Sequence, residues 1–255
     1  MRKIADILKI SKSSVENHLH QLGYVNRFDV WVPHRWSEKN RLDRISSCES
    51  LLKRNENVPF LKQIVTGHGK WLLYNNVEWK RSWGKRNAPP PTTPKASLHP
   101  KKVMLFIWWD WKGVLYYELL PENQTINSNK YCSQLDQPKA ALDEKCTELV
   151  NRKYIIFHQD NARLRVSLMT RQKSLQLGWE VLIHPPYSPD IAPSDFHFSL
   201  QNSLNGKNFN SLEDCKRHLE QFFAQKDKKF WEDGITKLPE KWQKVVEQKG
   251  EYVVQ

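Results

Sequence analysis

Two consecutive apolar runs in the middle of the chain constrain the fold most. Lys102–Trp109 and Gly113–Leu120 are rich in aromatic and aliphatic side chains, and the short connection between them predicts an antiparallel hairpin. The other apolar runs of strand length flank this hairpin: Leu61–Thr66, Trp71–Tyr74, Tyr154–Phe157 and Trp179–Ile183. Antiparallel strands therefore come first and a strand–helix–strand unit follows, which predicts a mixed sheet.

Helical patterns surround these strands. They are predicted over 41–58, over 127–148 with a break near Pro138, over 161–177, and over most of 194–250. The prolines of 82–100 favour an irregular loop there. The order of elements predicts an α/β fold with flanking helices, and a ribonuclease-H-like core has this order.

The first residues form a separate pattern. Residues 2–23 predict two short helices joined by a turn, with Ser13 and Glu16 at capping-box spacing and Val15 on the inward face. The outward face of the second helix carries side chains that can bond phosphates or base edges: Lys12, Ser14, Asn17, His18 and Gln21. This predicts a small all-α helix-turn-helix that binds double-stranded DNA, although an ordinary helical hairpin has the same pattern.

The charge balance favours the same partner. In 255 residues, Lys and Arg number 40 and Asp and Glu 28, giving a net charge of +12 and a pI near 9.5. Such a charge favours a polyanionic partner, but a generally basic surface is the alternative.

No apolar run reaches the ~20 residues that span a bilayer, so no membrane partner is expected. The four cysteines form no CxxC pair, which fits reduced thiols in a nuclear or cytosolic setting; for a DNA-binding chain we expect the nucleus.

Two aspartates are the candidate metal ligands. Asp160 follows the apolar run Tyr154–Phe157, and Asp195 follows Pro193 and Ser194, with Ser194 a possible helix N-cap. Between the aspartates lie 195 − 160 − 1 = 34 residues. Carboxylates suit Mg²⁺ or Mn²⁺, and two such ions can cut a phosphodiester, but a third acid is then needed. Each aspartate alone could also be a turn or capping residue.

Sequence motifs around these aspartates and elsewhere in the chain resemble those of a known family. The motifs are His158–Arg163, His184–Asp190, Ala192–Asp195, Trp31–His34, His99–Met104, Ile107–Trp109 and Trp242–Lys244. In their order along the chain these motifs resemble those of the mariner transposases of the Tc1/mariner superfamily, whose aspartate spacing is also 34 residues. The resemblance covers essentially the whole chain.

The resemblance implies an organisation and an activity. It implies a second helix-turn-helix at 1–24, a linker at 25–59 and a ribonuclease-H-like catalytic domain at 60–255. Trp31, Val32, Pro33 and His34 would be the linker motif, with a role in dimer contacts. The family uses an Asp-Asp-Asp triad with Mg²⁺ or Mn²⁺ for cut-and-paste transposition, by a dimer bound to terminal inverted repeats.

The chain departs from the family at the catalytic positions. Asp160 and Asp195 match the second and third acids, but His68 stands at the first and Gly69 replaces the glutamate that usually follows. Neutral imidazole is a poor magnesium ligand and imidazolium repels the ion. Asp110 could be proposed as a substitute, but nothing in the family supports it.

Further departures point the same way. Leu164 and Arg165 replace the usual Pro-His pair, the segment Phe196–Ser199 looks shortened, and the chain starts at the family's second helix-turn-helix. We therefore expect a mariner-type transposase, impaired in strand cleavage, whose two aspartates hold one metal ion weakly. A non-enzymatic DNA-binding protein or the product of a decayed element are the alternatives.

Overall fold

The computed structural model describes residues 9–21, 36–76, 100–121, 124, 126–145 and 155–253. The chain divides into two compact units, Met1–Trp36 and Ser37–Gln255. The predicted loop over 82–100, apart from Pro100, and the motif Trp31–His34 lie outside the described residues. The predicted division at 24/25 and 59/60 stays a prediction.

In the small unit, one helix is described, α1 (Lys12–Gln21). The hydroxyl of Ser11 accepts a hydrogen bond from the Ser14 N–H at 3.0 Å, so Ser11 caps the helix and the predicted cap Ser13 does not. Val15 is 3% exposed, in agreement with its predicted inward face. The predicted first helix lies outside the described part of this unit.

In the large unit, five strands form one mixed sheet in the order β3-β2-β1-β4-β5. The strands are β1 (Ile64–Leu73), β2 (Lys102–Asp110), β3 (Gly113–Leu120), β4 (Ile155–His158) and β5 (Trp179–Val181). β2 is antiparallel to β1 and β3, whereas β4 is parallel to β1 and β5. The predicted hairpin and the predicted mixed sheet are confirmed.

The first strand is longer than predicted. Leu61–Thr66 and Trp71–Tyr74 were expected to be separate strands, but the chain makes a 3₁₀ turn at Leu61–Gln63 and then a single strand, β1. Pairing with β2 is continuous from Thr66 to Leu73. The polar interval between the two apolar runs is therefore part of the strand, because its backbone bonds are satisfied across the sheet.

Helices flank the sheet. They are α2 (Glu38–Asn57), α3 (Ser128–Lys145), α4 (Leu168–Gln176), α5 (Pro193–Phe196), α6 (Leu200–Leu204), α7 (Leu212–Ala224), α8 (Lys228–Thr236) and α9 (Leu238–Glu247). Pro138 lies inside α3, so the predicted break is wrong: the helix continues past the one missing N–H donor. The predicted helix over 161–177 begins only at Leu168, after its cap Ser167. None of the described helices has the length and apolarity needed to span a bilayer.

Apolar side chains cover both faces of the sheet. Trp108 and Trp109 are neighbours on β2 and point to opposite faces, where each belongs to a separate buried cluster. Trp108 and Trp179 are buried, as predicted. Trp71 is 49% exposed, so its predicted core position is wrong; the Lys102 ammonium lies 4.2 Å from its ring centroid. Cation–π contact of this kind keeps an aromatic ring stable at the surface.

Candidate active site

His68 lies on the central strand of the sheet. β1 has β2 on one side and β4 on the other, and His68 pairs with Ile107 across the antiparallel ladder. Its side chain is 13% exposed. The position matched to the family's first acid is therefore a nearly buried imidazole in the middle of the sheet.

Asp160 reaches the same edge of the sheet through β4. Thr66 of β1 pairs with His158 of the parallel strand β4, and two residues further along each chain are His68 and Asp160. The Ala162 N–H donates to Asp160 Oδ1 at 2.9 Å, which fixes the carboxylate in the turn that follows β4. The predicted placement of Asp160 at the end of a strand thus agrees with the structure.

Asp195 comes to this edge on the short helix α5. The Trp109 indole N–H donates to Ser194 Oγ at 3.0 Å, which ties α5 to β2. Ser194 was expected to cap the helix, but the cap position is Ala192 and the serine hydroxyl serves Trp109 instead. Asp195 Oδ1 lies 3.9 Å from His68 Nε2, so the structure brings all three predicted catalytic positions together.

The charges at this site differ from those of an acidic triad. Burial, and then the positive charges of Arg165 and Lys70, lower the pKa of His68 to about 3. Burial, and then the neighbouring Asp160, raise the pKa of Asp195 to about 6. At neutral pH the imidazole is uncharged, so its contact with Asp195 is not an ion pair.

Arg165 contacts the second acid directly. Its Nη1 lies 2.9 Å from Asp160 Oδ2, and its side chain is 5% exposed while that of Asp160 is 43% exposed. The sequence marked Arg165 only as a departure from the family's motif. The structure adds that the guanidinium folds back onto the aspartate five residues earlier in the chain.

Two histidines stand behind the aspartates. His158 Nδ1 lies 3.1 Å from Thr66 Oγ1, and its Nε2 lies 3.2 Å from His184 Nδ1. Burial lowers the pKa of both rings, that of His184 to about 4, so both are neutral at physiological pH. The Asn161 amide donates to the His184 carbonyl at 2.8 Å. This uncharged network holds the end of β4 to β1 and to the chain after β5.

The residues present do not fit a two-metal centre. Two carboxylates face a neutral imidazole, and one of them already neutralises an arginine. Within the described residues, no group of three or more His, Cys, Asp or Glu side chains is arranged to hold a metal ion. The assignment of Asp160 and Asp195 as metal ligands stays a prediction.

Asp110 does not supply the missing acid. Its side chain is buried in the turn of the β2–β3 hairpin, where Oδ1 accepts from the N–H groups of Lys112 and Gly113 at 2.7 and 3.1 Å. It is a turn residue, and its register places it beyond the pair formed by Thr66 and Trp109, further from His68.

The predicted DNA-contacting residues lie on α1. Asn17, His18 and Gln21 are exposed, as a DNA-reading face requires. Ser14 is half-buried, and its hydroxyl lies 2.8 Å from that of Ser11. Lys12 is the first residue of the helix. The predicted roles of these five side chains remain predictions.

The five-stranded mixed sheet with flanking helices, and the convergence of Asp160 and Asp195 at one edge of it, indicate an α/β domain of the ribonuclease-H type. A family model described as Transposase (partial DDE domain) matches residues 73–152. The solved Mos1 mariner paired end complexes with Mn and with Mg both give a TM-score of 0.86, at 39% and 38% identity, covering 99% of this chain and 75% of theirs.

Two relatives show to which family this domain belongs. The Mariner Mos1 transposase of Drosophila mauritiana is 38% identical over 255 residues, which are 99% of this chain and 74% of Mos1. Histone-lysine N-methyltransferase SETMAR of Homo sapiens is 41% identical over 253 residues, which are 98% of this chain and 37% of SETMAR. The chain belongs to the mariner family of DNA transposases.

Proposed function

We propose that this chain binds transposon-end DNA as a mariner transposase and is impaired in cutting it. The observation that carries the proposal is the composition of the acidic site, where His68 occupies the first position and Arg165 neutralises Asp160. The net charge of +12 and the exposed polar face of α1 support retained DNA binding.

The relatives support the remaining parts of the proposal. The Mos1 paired-end complex with left transposon end supports transposon-end DNA as the ligand, which we take to be double-stranded terminal inverted repeats, and the paired-end complexes support a homodimer as the bound form. The same complexes were solved with Mn and with Mg, which supports Mg²⁺ or Mn²⁺ as the ion of the family's site. A protein with this ligand acts in the nucleus. The linker motif Trp31–His34 is proposed to contribute to dimer contacts.

A nicking assay tests the impairment. The chain is incubated with a supercoiled plasmid carrying a mariner inverted repeat, in Mg²⁺ and in Mn²⁺, beside Mos1 transposase on its own ends. We expect cleavage far below that of Mos1 in both ions. Cleavage at a comparable rate would refute the proposal.

Fluorescence anisotropy tests the DNA binding. Asn17→Ala should reduce the preference for an inverted-repeat duplex over a scrambled duplex by about 1–3 kcal/mol, as loss of a base contact does. Lys12→Ala should weaken binding to both duplexes alike. It should also reduce by about one the slope of log affinity against log salt concentration. Lys39→Ala, on exposed surface of the large unit, is the matched control and should change neither.

A non-enzymatic DNA-binding protein is the second candidate, and the Asp160–Arg165 ion pair favours it. It predicts sequence-preferring DNA binding with no residual nicking even in Mn²⁺, whereas an impaired transposase retains a trace. The product of a decayed element predicts no preference between the two duplexes.

A further inference from the structure

The guanidinium of Arg165 lies in the acidic site in a buried position. Its Nη1 contacts Asp160 Oδ2 at 2.9 Å, and only 5% of the side chain is exposed. Its Nε and Nη1 are both buried without a hydrogen-bond partner among the described residues, so the contact with Asp160 is an ion pair that lacks hydrogen-bond geometry. A buried charge needs a counter-charge, and Asp160 provides it.

Gly69 provides the space for this guanidinium. A Cβ atom at position 69 would lie 2.8 Å from Arg165 Nη2 and 3.1 Å from Phe106 Cε1. Glycine weakens the interior of a strand and often marks close approach of another group. Gly69 is in the middle of β1, and the group that approaches it is Arg165.

Neighbouring contacts hold Arg165 in place. The backbone N–H of Arg165 donates to the Ala162 carbonyl at 2.8 Å, and its backbone carbonyl accepts from Gln159 Nε2 at 3.2 Å. Gln159 Oε1 accepts in turn from the Tyr131 hydroxyl at 2.9 Å, and the Arg165 guanidinium lies 5.7 Å from the centroid of the Tyr131 ring. The backbone of Arg165 is therefore anchored, and its buried guanidinium lies against Asp160 and the Tyr131 ring.

We infer that Arg165 is a built-in counter-cation that takes the charge of Asp160 in place of a divalent ion, and that Gly69 and Arg165 form a coupled pair. Two consequences follow. An acid restored at position 68 does not restore metal binding while Arg165 remains, because its positive charge stays against Asp160. A side chain restored at position 69 destabilises the fold less once Arg165 is removed, because the 2.8 Å approach to its guanidinium is relieved and the 3.1 Å contact with Phe106 remains. The inference rests on the proposed function in one respect: Asp160 and Asp195 are taken as remnants of the family's acidic site.

Metal binding is the first test. Isothermal titration with MnCl₂ is carried out on the full chain, on His68→Asp, on Arg165→His and on the double variant. Arg171→His combined with His68→Asp is the matched control, since Arg171 is an exposed arginine on α4. We expect the His68→Asp/Arg165→His variant to bind Mn²⁺ at least roughly tenfold more tightly than His68→Asp, the order of effect that groups around a metal site exert. The control should bind like His68→Asp alone.

Equal Mn²⁺ affinity of His68→Asp and the double variant, with both folded by circular dichroism, would overturn the inference. DNA binding of each variant is measured in parallel. If removing Arg165 does not change Mn²⁺ affinity while DNA binding is intact, only the role of Arg165 as a counter-cation is refuted. Efficient cleavage by the unmodified chain, or failure to bind DNA, refutes the proposed function.

A steric cycle tests the coupled pair without metal. Gly69→Ala should lower the melting temperature of the unmodified chain by several degrees, roughly 2–4 °C per kcal/mol for a unit of this size. In the Arg165→His background the same substitution should cost less than half as much. Equal costs in the two backgrounds would refute the coupling of Gly69 to Arg165.

Discussion

Arg44 and Asp190 form a fully buried ion pair, and its removal gives the sharpest stability prediction. The two side chains are 0% and 1% exposed, and Arg44 Nη1 and Nη2 donate to the two carboxylate oxygens at 2.8 and 2.6 Å. The same guanidinium donates to the carbonyls of Gly250 and Glu251 at 3.0 and 3.2 Å. The pair thus joins α2, the turn before α5 and the end of the chain.

Arg44→Met removes the cation and leaves the Asp190 carboxylate with the Val253 N–H, a donor at 2.9 Å. Two carbonyls lose donors as well. Removing one partner of a buried pair costs about 3–5 kcal/mol, because the other charge stays buried. At roughly 2–4 °C per kcal/mol, the melting temperature should fall by about 6–20 °C.

Urea unfolding followed by circular dichroism measures this loss. Arg41→Met is the matched control on the same helix: Arg41 pairs with Glu251 at 2.8 Å, but the side chains are 42% and 61% exposed. It should cost less than about 1 kcal/mol. The Arg44→Met/Asp190→Leu variant should lose less than Arg44→Met, since no charge stays unpaired. The reasoning would be refuted if the double variant lost as much stability as the sum of Arg44→Met and Asp190→Leu. Equal losses for Arg44→Met and Arg41→Met would refute it too.

Three further outcomes are expected. The raised pKa of Asp195, about 6 in the fold against 3.8, removes stability as pH rises through this interval, so Asp195→Asn should raise the melting temperature at pH near 7.5 and less at pH near 4.5. Gly234→Ala should cost about 1–2 kcal/mol by thermal unfolding, because its Cβ would lie 2.7 Å from the buried Trp109 ring. In mass spectrometry after brief native alkylation, half-buried Cys132 should react before Cys48, whose pKa burial raises to about 12.

Local patterns predicted the sheet because its signals are local. The hairpin of β2 and β3 needs two apolar runs and a short turn, and both are visible in the sequence. The length of β1 could not be predicted in this way. Its polar stretch from His68 to Lys70 interrupts the apolar pattern, and pairing with β2, which lies much later in the chain, makes it a strand.

The candidate site was predicted in part for the same reason. Asp160 and Asp195 carry recognisable neighbouring residues, so their convergence with His68 could be expected from the family's motifs. The contact of Arg165 with Asp160 could not be expected from these motifs. The orientation of Arg165 depends on the space beside Gly69, which lies on β1 and far from Arg165 in the sequence, and no local pattern links the two positions.

The substitutions at this site have a common electrostatic consequence. Three carboxylates gathered without a metal repel one another and destabilise the fold that holds them. Here the first is replaced by neutral His68, and the second is neutralised by Arg165. The pKa of Asp195 stays raised, first through burial and then through the neighbouring charge of Asp160. The site is therefore stable without a divalent ion, whereas a variant with the triad restored and Arg165 removed should depend on one. Addition of Mn²⁺ should accordingly raise the melting temperature of that variant and leave that of the unmodified chain unchanged.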